Sequence, residues 1–382
     1  MSAVLKRLGF IAIVVWVLPP LVEAQRSVIT PPVVAKKAKP AKEWPDARTM
    51  AKQQQDAEKR KLCASTSPVV IKLTANFKAV QGDRNPSSTK TFPATLEYTN
   101  DDGSPGVAEV ALRTRGHMRR MFQTCDVAPL RVEFPKEQVK HSVFDGQKAL
   151  KLGTHCREGV KDFEQYVLRE YSAYRIGNLL TPKSFRARLA KVTYVDAVSK
   201  KASPPRYGLF IEDDEDVAKR LGGRLTADRD ALSGFSKDDF TLFAMFEYLI
   251  GNNDVSIWTQ HNVSLVQFPD GSAYPVPYDF DYSGLVDTTY AIPPAALKIS
   301  SVRDRVYRGP CRAASEFGPF LVKFGVIRPQ VAPIFESLTD MDPGAKKRAL
   351  SYLDEFFKMA EKPDSVKKAL AESPYCLKKG LM

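Results

Sequence analysis

Tyr248-Leu-Ile-Gly-Asn-Asn-Asp254, then Trp258-Thr-Gln-His261-Asn262, then Tyr274-Pro-Val-Pro277-Tyr278-Asp279-Phe280-Asp281 is the stretch on which the reading of this chain turns. It reads as the end of a helix, a polar loop, a short strand, a turn, a second short strand and an acidic end. A β-hairpin brings the residues before its first strand beside those after its second, because the strands run antiparallel. Asp254, Asn262, Asp279 and Asp281 are therefore expected to converge. Three carboxylates and a carboxamide make a hard-oxygen site of the kind that holds Mg²⁺ or Mn²⁺ against phosphate oxygens. Asp and Asn also favour turns and caps, so each cluster taken alone is explained as turn chemistry. The apolar frame of Tyr248, Leu249, Ile250, Tyr278 and Phe280 argues for partial burial, where carboxylates lacking a cation are costly.

Upstream, strand-like runs come early, at 69–77, 93–99, 107–113, 129–134 and 149–152, separated by turn signals at Gly82-Asp83, Asp101-Asp102-Gly103 and Asp145-Gly146. Val160, Phe163, Val167, Tyr171, Tyr174 and Ile176 fall at helical spacing, and Thr181-Pro182 closes that helix at 180. Two further strands are predicted at 188–195 and 207–212. Beyond them the pattern is helical: 237–250 behind a Ser236 cap, then 314–324, 329–338 and 343–359. Strands first and helices later predict an α+β protein with two lobes and a cleft between them. The expected boundaries are a strand-rich lobe with one long helix over 62–213 and a helical lobe over 214–382.

The 382 residues are enough for one large domain or two packed lobes. A net charge of +13 suits anionic partners without choosing among them. Lys6 and Arg7, an apolar stretch over 8–18 and Val22-Glu23-Ala24 fit a secretory signal cleaved near Ala24. About eleven apolar residues fall short of the roughly 20 that cross a bilayer, and no later stretch is longer. The mature chain is therefore expected in the periplasm or outside the cell, with no transmembrane span. Residues 25–61, rich in Lys, Ala, Gln and Pro, read as a basic disordered linker. Nothing there interleaves aromatics with the lysines, so no nucleic-acid partner is expected. Five cysteines in an exported chain are disulfide candidates, and Cys125 and Cys156, flanking predicted strands, are the expected pair. Four scattered histidines without an H-x-x-x-H pair argue against a zinc hydrolase.

The ordered set of motifs resembles the spore-coat-protein-H-like (CotH) kinases, atypical relatives of the protein kinase fold. Asn252-Asn253-Asp254, Asn262 and Pro277-Tyr278-Asp279-Phe280-Asp281 are similar to that family's N-x-D, Asn and P-x-D-x-D elements. Leu112-Arg113-Thr-Arg115-Gly116-His-Met-Arg119-Arg120 resembles its R-x-R-G-x-x-R signature, Ala149-Leu-Lys151-Leu152 its K-x-L strand, and Val167-Leu-Arg-Glu170-Tyr171 its L-R-E helix. The likeness covers about 107–286. It implies a two-lobed atypical protein-kinase-like fold, with Asp254 as the base or orienting carboxylate and Asp279, Asn262 and Asp281 holding Mg²⁺ or Mn²⁺. It also implies a Lys151–Glu170 pair at the nucleotide phosphates, with Arg113 and Arg115 neutralising their charge. Lys148 competes with Lys151 for that role, and Glu164 with Glu170 on the same helix. His261 reads as a loop hydrogen-bonder. No Gly-rich phosphate loop is present, and Asp254 and Asn262 lie eight residues apart rather than the five usual in protein kinases.

The expected function is thus an exported, metal-dependent phosphotransferase moving a phosphoryl group from ATP to a hydroxyl of a protein or envelope component. Such chemistry needs positioning and charge stabilisation more than covalent catalysis. Two rivals stand beside it: a catalytically silent kinase-like envelope scaffold, and an anion-binding protein that has no use for Asp254.

Overall fold

Alternation of apolar and polar residues gives most strands of the first half one buried face, and in the computed structural model, which describes residues 43–378, the strands wrap around a shared interior. The strands are β1 (Val69–Ala75), β2 (Phe92–Thr99), β3 (Pro105–Thr114), β4 (Leu130–Glu133), β5 (Ala149–Gly153), β6 (Ala187–Asp196) and β7 (Arg206–Ile211). Their order is β1-β2-β3-β4-β5-β7-β6, and β6 returns to lie parallel to β1, with Ile71 opposite Val192, so the sheet closes into a barrel. Val69, Ile71, Leu73, Leu96, Val110, Leu112, Val132 and Leu152 point into it and are buried. The α-helices before β6 are α1 (Ala47–Glu58), α2 (Phe77–Gly82) and α3 (Lys161–Leu180).

Closure overturns the expected two-lobed kinase-like fold. A seven-stranded barrel pairs both edges of its sheet with its own strands. The first-half strands do not form an open lobe facing a cleft, and from Pro45 onward the chain is one compact unit. The missing information is the partner of each strand. Local alternation predicts that β1 and β6 exist, but nothing in it says that segments more than a hundred residues apart lie side by side.

The strands β5, β6 and β7 are buried on both faces. One face fills the barrel with Leu150, Leu152, Ala190, Val192 and Phe210; the other packs Ala187, Leu189, Leu209 and Ile211 against α3. This second core continues into α4 (Asp214–Arg220), α5 (Lys237–Ile250), α6 (Gly318–Glu336) and α7 (Pro343–Ala360). A small antiparallel sheet, β8 (Arg224–Thr226), β9 (Val263–Gln267) and β10 (Ala273–Pro277), runs in the order β10-β9-β8 beneath α5.

Two local expectations fail for identifiable reasons. Residues 47–58, assigned by composition to a disordered linker, form α1. Asp46 caps it by accepting the Thr49 amide at 2.9 Å, Glu58 pairs with Arg186, and the adjoining Arg60 with Asp216 at 3.1 Å. The helices expected on either side of Pro329 are one helix, α6. Pro329 and Pro333 lie on its solvent side, where the carbonyls freed at exposed Gly325 and Pro329 can bond water instead.

Disulfides join Cys125 to Cys156, as expected, and Cys311 to Cys376; Cys63 is a free thiol. No helix among the described residues is long and apolar enough to cross a membrane. Both facts are compatible with an exported protein. The signal segment expected over 1–24 lies outside the described residues.

Candidate functional site

Asp254 is placed by the end of α5. Ser236 caps the start of that helix, accepting the Asp239 amide at 3.1 Å, and Gly251 ends it in the left-handed region at φ +66°. A side chain at 251 is excluded twice over, because a Cβ there would stand 1.9 Å from the Tyr352 hydroxyl. The loop that follows is pinned on both sides of Asp254. Arg308 donates to the carbonyls of Asn253 at 3.1 Å and Val255 at 2.9 Å, the Asn253 amide donates to the Asp304 carbonyl, and Asn252 accepts the Asp254 N–H.

The extra residues between Asp254 and Asn262 form a closed turn. Ser256 and His261 exchange backbone hydrogen bonds, so the segment containing Trp258 folds out and returns. Asn262, at φ +55°, then donates its amide to the Asp254 backbone carbonyl at 2.8 Å and to its carboxylate at 3.0 Å. That commits its nitrogen and leaves its oxygen available to a cation. His261 Nε2 stands 3.3 Å from the other Asp254 oxygen.

The β9–β10 hairpin makes the juxtaposition. Pro277 pairs with Val263, and the Tyr278 N–H donates to the Asn262 carbonyl, so Asp279 and Asp281 follow directly beside Asn262. The returning chain is then tied to the end of α5, Gly284 donating to Gly251 and Leu285 to Ile250, each at 3.0 Å. Asp279 adopts φ +63° with its N–H on the Tyr174 hydroxyl, and Asp281 accepts from Tyr290 at 2.9 Å.

All four residues line one cavity of about 420 Å³, together with Arg115 and Arg119. Arg119 lies between two buried acids, 3.8 Å from Glu170 and 3.9 Å from Asp281, and donates to the Thr154 carbonyl at 2.7 Å. Two guanidiniums thus face four carboxylates. Burial, and then repulsion by Asp281 for Glu170 and by Asp279 for Asp281, pushes both well above the ordinary carboxylate range. Burial likewise raises Asp254, against the opposing pull of His261.

Other expected members take different places. Lys151 does not pair with Glu170: its ammonium lies 2.7 Å from Asp214 and 4.1 Å from the centre of the Tyr278 ring, and burial lowers its pKa despite Asp214. Glu170 instead serves Arg119. Lys148 is exposed on another face, and Glu164 pairs with Arg206 at 2.9 Å, which excludes both from the site. Arg113 stays on the barrel wall, 3.9 Å from Glu133, because the strand ends at Thr114 and the chain turns at Gly116, φ +92°. Arg119 is the member that the sequence reading left without a role. Its signal was present as the last Arg of R-x-R-G-x-x-R, but its approach to Asp281 is a tertiary contact. Asp214, the acid on Lys151, had no motif to mark it.

Among the described residues no three His, Cys, Asp or Glu groups form a ready-made cation cage. The donor set fits a shared cation better than an all-protein one. Mg²⁺ is commonly held by one or two carboxylates and completed by substrate phosphates and water, and Asp279 lines the cavity with a carboxylate that accepts no hydrogen bond from the described residues.

No family model and no curated protein matches this chain.

Proposed function

We propose that this protein is an exported, metal-dependent phosphotransferase that moves the terminal phosphoryl group of ATP to a hydroxyl of a protein or envelope component. One observation carries the reading: Asp254, Asn262, Asp279 and Asp281, from a loop and the far end of a hairpin, line one cavity with Arg115 and Arg119. The ordered motifs resembling the spore-coat-protein-H-like kinases add support at the level of chemistry, independent of the fold that the resemblance implied.

Asp254 is the group suited to receive the acceptor proton. Burial raises its pKa, and the Asn262 amide and His261 imidazole hold its carboxylate in place. As the acceptor oxygen bonds to the γ-phosphorus, its proton passes to Asp254, the bond from that phosphorus to the bridging oxygen breaks, and ADP leaves with the electron pair. Arg115 and Arg119 stabilise charge on the phosphate oxygens. A divalent cation held by Asp279, Asp281 and the Asn262 oxygen would neutralise the β- and γ-phosphates. Lys151, behind Tyr278, acts here as a positioning residue for the cavity wall.

The test is transfer from γ-labelled ATP with Mg²⁺ or Mn²⁺ to the chain itself and to an envelope extract, for wild type, Asp254→Ala and Asp279→Ala. Loss of transfer in both variants is the expected result, and transfer that survives both overturns the proposal. The Lys151–Asp214 pair favours one second reading, a catalytically silent nucleotide binder, because it leaves no lysine in the cavity lining. That reading predicts a rise in melting temperature with ATP and Mg²⁺ but no transfer.

A further inference from the structure

A second cavity, of about 470 Å³, lies at the other end of β4 from the acidic site. Pro129, just before that strand, lines the acidic cavity, whereas Phe134, just after it, lines this one. Its cationic lining is Lys59, Arg60, Lys61, Lys136 and Lys148. Two of the five are committed: Arg60 to Asp216 at 3.1 Å, and Lys61 to the His141 carbonyl at 2.9 Å. Lys59, Lys136 and Lys148 are exposed and have no ion-pair partner among the described residues.

Three features set this cavity apart from a merely basic surface. Gly146 sits at φ +73°, a conformation that favours glycine, and a Cβ there would stand 1.4 Å from the Arg60 guanidinium, which crosses over it to Asp216. Gln147 is 4% exposed, lines the cavity, and its amide oxygen has no hydrogen-bond partner. A buried amide left unsatisfied costs about 1–3 kcal/mol, a cost that is recovered when the side chain turns toward the cavity and accepts from a ligand hydroxyl. Finally, Asp56 and Asp145 stand among the lysines.

That mixture selects a ligand. Two carboxylates would repel a polyphosphate or nucleic-acid backbone, and the single aromatic lining residue, Phe134, is 8% exposed and offers no open face for a base to stack on. Carboxylates and a carboxamide are, however, good acceptors for sugar hydroxyls, while three free ammonium groups attract an anionic substituent. We propose that this cavity binds an acidic carbohydrate, a uronic-acid or sulfated oligosaccharide, with its charged groups on Lys59, Lys136 and Lys148 and its hydroxyls on Gln147, Asp56 and Asp145. The inference is independent of the phosphotransferase reading.

The experiment is calorimetric titration of the full chain with a tetragalacturonate, a heparin-derived tetrasaccharide, maltotetraose, inorganic phosphate and a dT oligonucleotide. Wild type is expected to bind at least one acidic tetrasaccharide and to bind maltotetraose at least about tenfold more weakly. Lys136→Glu with Lys148→Glu, both exposed and safe for folding, should weaken the acidic sugar at least about tenfold. Asp145→Ala decides the class of ligand, because losing both carboxylate oxygens removes a hydroxyl acceptor and weakens a sugar, whereas losing a negative charge strengthens a simple anion. Phosphate or dT binding as tight as the sugar, tighter sugar binding by Asp145→Ala, or no binding of either acidic tetrasaccharide would each overturn the proposal.

Discussion

Replacing Glu247 with Gln should stabilise the protein increasingly as pH rises. Glu247 lies in the last turn of α5, just before the loop that carries Asp254, and is 5% exposed. Neither carboxyl oxygen makes a well-formed hydrogen bond, and the Asn252 side-chain nitrogen nearby is also left without one. Burial pushes the Glu247 pKa from 4.5 up to about 8, with Asn252 and Arg308 offsetting only part of the shift. A carboxyl whose pKa is raised on folding gives its full stability below the unfolded value and loses it as pH climbs through the folded one. Linkage then makes the Glu247 contribution cost about 1 kcal/mol at pH 5 and about 4 kcal/mol at pH 7.5, relative to a group that does not titrate. The other raised carboxyls, Glu170, Asp213, Asp254 and Asp281, are common to both proteins and cancel in the comparison. Urea unfolding followed by far-ultraviolet circular dichroism at the two pH values should therefore find the variant-minus-wild-type difference growing by about 3 kcal/mol. A difference that is the same at pH 5 and pH 7.5 would refute the reasoning, since it would mean that Glu247 is ionised and paired in the folded protein.

Arg308→Ala removes the donor that holds the carbonyls on either side of Asp254. In the transfer assay it should lower kcat by about 10–100-fold with little change in KM for ATP, and Arg308→Lys should restore part of the loss; an unchanged kcat would remove the clamp from the account. The Cys125–Cys156 bridge, 31 residues apart, ties the segment after Arg119 to the end of β5. Its replacement by two alanines should cost about 3–4 kcal/mol on the chain-entropy account and weaken nucleotide binding, measured by denaturant unfolding and thermal shift with ATP and Mg²⁺.

Local sequence carried a good deal of this architecture. Alternation in Val69-Val-Ile-Lys-Leu-Thr-Ala75, helical spacing from Phe163 to Ile176 and the Ser236 cap each act within a few residues, and the corresponding β1, α3 and α5 are present. The meeting of Asp254 with Asp279 was legible for the same reason, because a hairpin is a local device whose ends meet by construction. Cys125 and Cys156 could be paired from the strands beside them. Composition misled at α1, whose stability comes from Gln54, Glu58 and the adjoining Arg60 reaching residues in 186–220. No property of 47–58 alone reports those partners.

Barrel closure and the wiring of charges belong to the tertiary structure. That β6 lies parallel to β1, that Lys151 meets Asp214, and that Arg119 takes Glu170 and Asp281 are choices among partners far apart in the chain. The residue pattern specifies which face of an element must be covered, and many arrangements can cover it. Packing of the whole chain selects one, since only then are the entropy of closing long loops and the cost of burying each charge weighed together.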